Sequence, residues 1–330
     1  ANGSLTLSAA GGNNLAEATL SNGGALVLRA GTMREGSSEN ELNLTGVVNN
    51  GAEPGTFSGT SVTLETSGSL VMGTQKATTV TATAGDAQVL ADRVDFADGS
   101  SITATGGDVR VDAVTSLSAG ENFLLEGDNV SVTGGREGFA VGSGAAFIAR
   151  AGQVEVIGDA DLTLGGRLSV DAQKGASDDP TAGSITIGAH GVLSVTDDAL
   201  EIAAKNGSVT VYGGKGMSIR NNLTVVSQTD TVLLTEQGSL SIGNGAVVKA
   251  GTQSGLEAGK YGGIRLAAGD AFEIGESATV LADALAVEAA GDITFGDKAT
   301  LTGATDGVTI ASAGGSIYMG NELTVESNAQ

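Results

Sequence analysis

The chain has 330 residues, of which 53 are glycine and 3% are aromatic, with no tryptophan and no cysteine. Lys plus Arg number 16 and Asp plus Glu 38, so 16 − 38 = −22, a balance that argues against nucleic acid, whose binding rests on basic patches, and against anionic lipid surfaces. The lack of cysteine excludes thiol catalysis and thiolate metal sites, and no apolar run approaches the roughly 18 to 20 residues that span a bilayer as a helix.

The first sixty or so residues hold four predicted strands, Leu5-Thr6-Leu7, Ala25-Leu26-Val27-Leu28, Leu42-Asn43-Leu44 and Val62-Thr63-Leu64. Polar stretches at residues 32–40 and 49–60 read as the loops between them. From Gly68 the apolar triplets come at intervals of about seven to nine residues, punctuated by Gly and Asp turns that supply the backbone conformations other residues resist. Residues 134–146 form a glycine-rich insertion, residues 173–182 the most polar loop, and residues 251–263 a last large insertion. The two prolines, Pro54 and Pro180, fall in loops, as residues without an N–H must in a paired ladder.

From Gly183 a short motif recurs. Ile185-Thr186-Ile187-Gly188, Leu240-Ser241-Ile242-Gly243, Phe272-Glu273-Ile274-Gly275, Ile293-Thr294-Phe295-Gly296 and Ile317-Tyr318-Met319-Gly320 all carry it, and the last three begin 21 and then 24 residues apart. Five residues after each glycine stands another apolar residue: Leu193, Val248, Val280, Leu301 and Val325. One unit is therefore three short period-2 strands joined by turns, which is the sequence pattern of a β-solenoid coil. No segment sustains a 3.6-residue period, so almost no helix is expected. The fold class is all-β: a right-handed parallel β-helix with three short strands per coil of about 21–24 residues and several loop insertions. Roughly a dozen coils form one continuous solenoid over residues 1–330, more irregular over 1–67 and more regular over 68–330. It reads as a piece of something longer. Its narrow interior should be filled by ranked Ile, Val, Leu and Ala.

The repeats Gly-Ser-Ile-Thr-Ile-Gly (183–188), Gly-Asp-Ile-Thr-Phe-Gly (291–296) and Asn-Asn-Leu-Thr-Val (221–225) resemble the β-helical shafts of large Gram-negative exoproteins. These are the filamentous-haemagglutinin-like two-partner-secretion adhesins and the passenger domains of autotransporters. The resemblance implies export to the extracellular space or outer cell surface, with a structural role in adhesion, aggregation, biofilm matrix or display of a distal domain. The implied partners are a host or bacterial cell-surface protein or glycan, or other copies of the same chain. Membrane insertion by this segment is not implied. A self-assembling filament subunit is the alternative, and a β-helix carbohydrate-active enzyme is a third reading.

Chemistry is sparse in the sequence. The single histidine, His190, sits in a Gly-Ala-His-Gly turn without partners for a triad or metal site. Gly213-Gly214-Lys215-Gly216 lacks the following helix that a phosphate loop needs. Asp92, Asp95, Asp108 and Asp112 are the nearest approach to the convergent carboxylates of a glycosidase. Asp159 with Asp161, or Asp197 with Asp198, are the pairs that could hold Ca2+ with backbone carbonyls, although acidic turn residues ordinarily make local hydrogen bonds. No enzymatic activity and no other cofactor is expected. Candidate partner contacts lie in the three insertions: Arg136, Glu137 and Phe139 in the first, Lys174, Asp178 and Asp179 in the second, and Lys260 and Tyr261 in the third.

Overall fold

The computed structural model describes residues 5–9, 13–14, 19–21, 23–30, 42–43, 56–72, 77–167, 169–172, 183–251 and 262–327. Strands make up 61% of it and no helix occurs among the described residues; the parallel strands stack as a β-solenoid of about 11 turns. The chain divides into two compact units, Ala1–Ala160 and Asp161–Gln330, built of the same coil.

A coil has three faces. In the second unit, one coil contributes Ile185–Ala189 to the first face, Val192–Val195 to the second and Glu201–Ala204 to the third. The next coil lays Val209–Gly213, Gly216–Ile219 and Thr224–Ser227 on them, parallel and in register, with Ile185 opposite Val209, Val192 opposite Gly216 and Glu201 opposite Thr224. Stacked partners are commonly 21 to 24 residues apart, the period expected from the sequence, and are farther apart where a longer stretch intervenes, as with the 36 residues between Arg29 and Glu65. The recurring motif does not mark one face, however. Leu240–Ile242, Phe272–Ile274, Ile293–Phe295 and Ile317–Met319 do stack on the second face, but Ile185–Ala189 lies on the first. Alternation with a following glycine suits a strand on any face, so the motif alone cannot set register. The stretch 49–60, read as a loop, also contains a strand, Thr56–Gly59, which pairs with Thr79–Ala82.

Along each strand alternate residues point inward, as in Val62–Thr66 and Val209–Gly213. Ranked Val, Ile, Leu and Ala fill much of the interior, but all seven phenylalanines of the chain are there as well: Phe57, Phe96, Phe123, Phe139, Phe147, Phe272 and Phe295. In the first unit Phe96 stacks on Phe123 at 4.5 Å, and Phe147 meets Phe123 edge-on at 6.5 Å. In the second, Phe272 and Phe295 lie 6.0 Å apart. Rungs of a parallel sheet are separated by about 4.8 Å, a spacing at which ring pairs gain contact beyond their buried area.

The corner between the second and third faces is built the same way coil after coil. One residue turns the chain in the left-handed region: Asn122 (φ 54) in the first unit, and Ala199 (φ 72), Asn222 (φ 59), Ser277 (φ 57), Lys298 (φ 58) and Glu322 (φ 58) in the second. Where the residue before it is Asp or Asn, that residue offers a side-chain oxygen to the next coil. Asn221 N donates to Asp198 Oδ1 (3.2 Å), Asn244 N to Asn221 Oδ1 (2.9 Å), Glu276 N to Asn244 Oδ1 (2.8 Å) and Asn321 N to Asp297 Oδ1 (2.6 Å). The left-handed residue's own N–H donates to the next coil's carbonyl, as Asn222 N does to Asn244 O (2.8 Å). The residue after it turns inward and is buried: Leu200, Leu223, Ala246, Ala278 and Ala299. A bend that would otherwise strand backbone groups thus becomes a ladder of its own. A second such ladder, in the first unit, precedes the first face and runs Asp86, Asp108, Asn129, Gln153.

Two substitutions test this account by urea unfolding followed with far-UV circular dichroism. Phe123→Ala removes the central ring of the first-unit stack and should cost about 3–5 kcal/mol. Asn244→Ala removes the acceptor of the solvent-exposed Glu276 N–H and should cost about 0.5–1.5 kcal/mol, whereas Asn244→Asp, which keeps an acceptor, should recover most of the loss.

Candidate ligand cavity on the third face

Most outward positions of the third face carry small polar or charged side chains. The second unit breaks this pattern on adjacent strands. Outward residues run in register Asp171, Ala203, Val226, Lys249, so two apolar rungs lie between an acid and a base. Beside them a concavity of about 340 Å³ opens, lined by Ala203, Ala204, Lys205, Val226, Ser227, Gln228 and Gly251. Its volume falls in the range of small-ligand sites, which combine an apolar floor with a few placed polar groups.

The corner after the third face shapes the polar side. Ser227 Oγ lies 2.8 Å from Thr231 Oγ1 and donates to Thr229 O (3.0 Å). Gln228 N donates to Ala204 O (3.0 Å), which ties this corner to the coil before it and leaves the Gln228 side chain at the cavity edge. Lys205 Nζ lies 3.2 Å from Asp171 Oδ2, an ion pair that holds the lysine stem along the wall. Lys249 is exposed, one rung beyond Val226, and makes no ion pair with a described residue.

The residues expected to contact partners are placed differently. Arg136 and Glu137 are exposed, and Glu137 Oε2 pairs with Arg93 Nη2 at 3.1 Å. Phe139 corrects the expectation: it is 2% exposed and points into the interior from the strand Gly138–Val141. Residues 134–146 are not an insertion at all, but a regular second-face strand with a corner on either side. Glycine there reflects crowding, since a Cβ on Gly135 would overlap the Thr115 carbonyl of the coil below. Lys174, Asp178, Asp179, Lys260 and Tyr261 lie outside the described residues.

The acidic pairs considered for Ca2+ serve the backbone where their bonds are seen. Asp161 Oδ1 accepts from Val192 N at 2.8 Å, and Asp198 accepts from Asn221. No group of three or more His, Asp or Glu suited to a metal ion occurs among the described residues. Asp92, Asp95, Asp108 and Asp112 are not brought together: Asp92 accepts from Thr115 Oγ1 at a corner, Asp95 points out from the second face, Asp108 belongs to a corner ladder, and Asp112 pairs with Arg110 on the first face. His190 is exposed at its turn, 6.4 Å from the Tyr212 ring. The cavity residues were not singled out from the sequence. The signal available was the apolar outward position in Glu201-Ile202-Ala203 and Thr224-Val225-Val226 on consecutive rungs; Ile148 and Leu281 are apolar at the same outward position on other rungs.

Comparison with known proteins finds no matching family model, no similar curated protein and no similar solved structure.

Asp95 offers a pH test. It stacks between Val71 and Ser118, where desolvation raises its pKa above the ordinary carboxylate value. A raised carboxyl pKa means the native state holds the proton longer than the unfolded chain, so its contribution to stability falls as pH rises through the carboxylate range. Asp95→Asn should therefore melt at or slightly above the parent at pH ~7 and lose that advantage near pH ~3, read by thermal melts at both values.

Proposed function

We propose that this chain is a structural and adhesive shaft segment of a secreted or surface-displayed bacterial exoprotein, as its repeats' resemblance to filamentous-haemagglutinin-like and autotransporter shafts implies. The observation that carries the reading is the corner ladder running from Asp198 through Asn221 and Asn244, and on from Asp297 to Asn321. Coil after coil is bonded to the next by backbone on the faces, and at most of these corners by an Asp or Asn side chain as well, which is the construction of a scaffold that stacks by repetition. The flat faces then serve as display surfaces. Net charge −22 keeps such molecules apart in solution and directs recognition toward glycans or proteins rather than anionic lipid.

The test is adhesion by the isolated chain. Beads coated with it should bind host epithelial cells or bacterial cells well above albumin-coated beads, while vesicles of anionic phospholipid should not retain it. Beads that bind no better than the albumin control would overturn the adhesive part of the proposal. End-to-end or lateral assemblies in negative-stain micrographs, without cell binding, would favour a filament subunit instead.

A further inference from the structure

We propose that the third-face cavity of the second unit binds a carboxylate-bearing sugar residue at the end of a glycan. This rests on the adhesive reading above and names the chemistry of one of its contacts. The column Asp171, Ala203, Val226, Lys249 supplies the argument. Lys205 neutralises the acid at one end through its 3.2 Å ion pair. The base at the other end, Lys249, has no such partner among the described residues. Between them lie two apolar rungs, and the rungs are separated by about 4.8 Å. A single pyranose ring is of that size. Its C–H face lies on Ala203 and Val226, its carboxylate reaches the Lys249 ammonium, and its hydroxyls meet the Gln228 amide and the Lys205 side of the wall. Glu201, two residues before Ala203 on the same strand, is exposed, and neither it nor Lys249 is among the lining residues; Lys249 stands one rung beyond the lining residue Val226. In a chain with 38 acids and 16 bases, an apolar floor lined by Lys205, with Lys249 one rung beyond Val226, is selective for an anion, because a neutral sugar leaves the Lys249 charge unused while most other surfaces of the molecule repel a carboxylate.

Saturation-transfer NMR and titration calorimetry on the full chain test this with three probes: sialyllactose, a hyaluronan tetrasaccharide and lactose. Either acidic sugar should bind with saturation, and lactose should not. Binding of the first identifies a sialic-acid source and of the second a uronic-acid source. Lys249→Gln should weaken the acidic sugar about tenfold, the loss of one charge-assisted contact. Val226→Trp should abolish binding by filling the floor, with the circular dichroism spectrum unchanged in both variants. Binding of lactose equal to that of the acidic sugars, no binding by any probe, or binding indifferent to both substitutions would each overturn the assignment. If coated beads hold cells while neither acidic sugar binds, this site falls and the adhesive reading stands; if the sugars bind and the beads do not, the site stands and the reading falls.

Discussion

Parallel pairing of each coil with the one before and the one after is the interaction on which everything else depends. A single coil has no core: its inward side chains touch little besides the rungs on either side. Backbone bonding fixes the rung spacing at about 4.8 Å, and that distance then dictates what can stack. Within it, β-branched and small residues rank easily, and an aromatic ring fits when its neighbours yield, as Phe96, Phe123 and Phe147 do. The same spacing lets one short side chain at a corner reach the next backbone N–H, which is why Asp, Asn and Ser recur there.

The corners carry a conformational cost and its compensation together. A non-glycine residue in the left-handed region is disfavoured by roughly 1–2 kcal/mol, yet Ala199, Ser277, Lys298 and Glu322 all adopt it. Ala199, Ser277 and Lys298 are each held by an N–H bond to the following coil and by a buried side chain immediately after them. The bend is therefore enforced by the stack rather than by local preference, and it exists only because neighbouring coils bend at the same place.

Outward positions escape these constraints, so function has freedom only there. Threonine and serine on many rungs satisfy strand propensity, and some bond one another along the stack, as Thr103 and Thr81 do at 3.4 Å. Where the outward column turns apolar between charges, at Ala203 and Val226, the face acquires a concavity and a chemical preference. Recognition on such a scaffold is a local departure from the repeat, not a consequence of the repeat itself.

By itself the sequence determined the all-β solenoid, the three strands per coil and the period, because side-chain alternation and glycine or acidic turns are local signals. It also determined that residues 272–319 stack as near copies. It misjudged residues 134–146 as an insertion and Phe139 as a surface contact, because glycine that permits close approach between coils looks the same as glycine in a loop. Only the tertiary structure decided which face each copy of the motif occupies, since alternation is identical on all three. Only stacking, too, could bring Asp171, Ala203, Val226 and Lys249 into one column, residues that stand 23 to 32 positions apart in the chain and become neighbours through the backbone bonds between rungs.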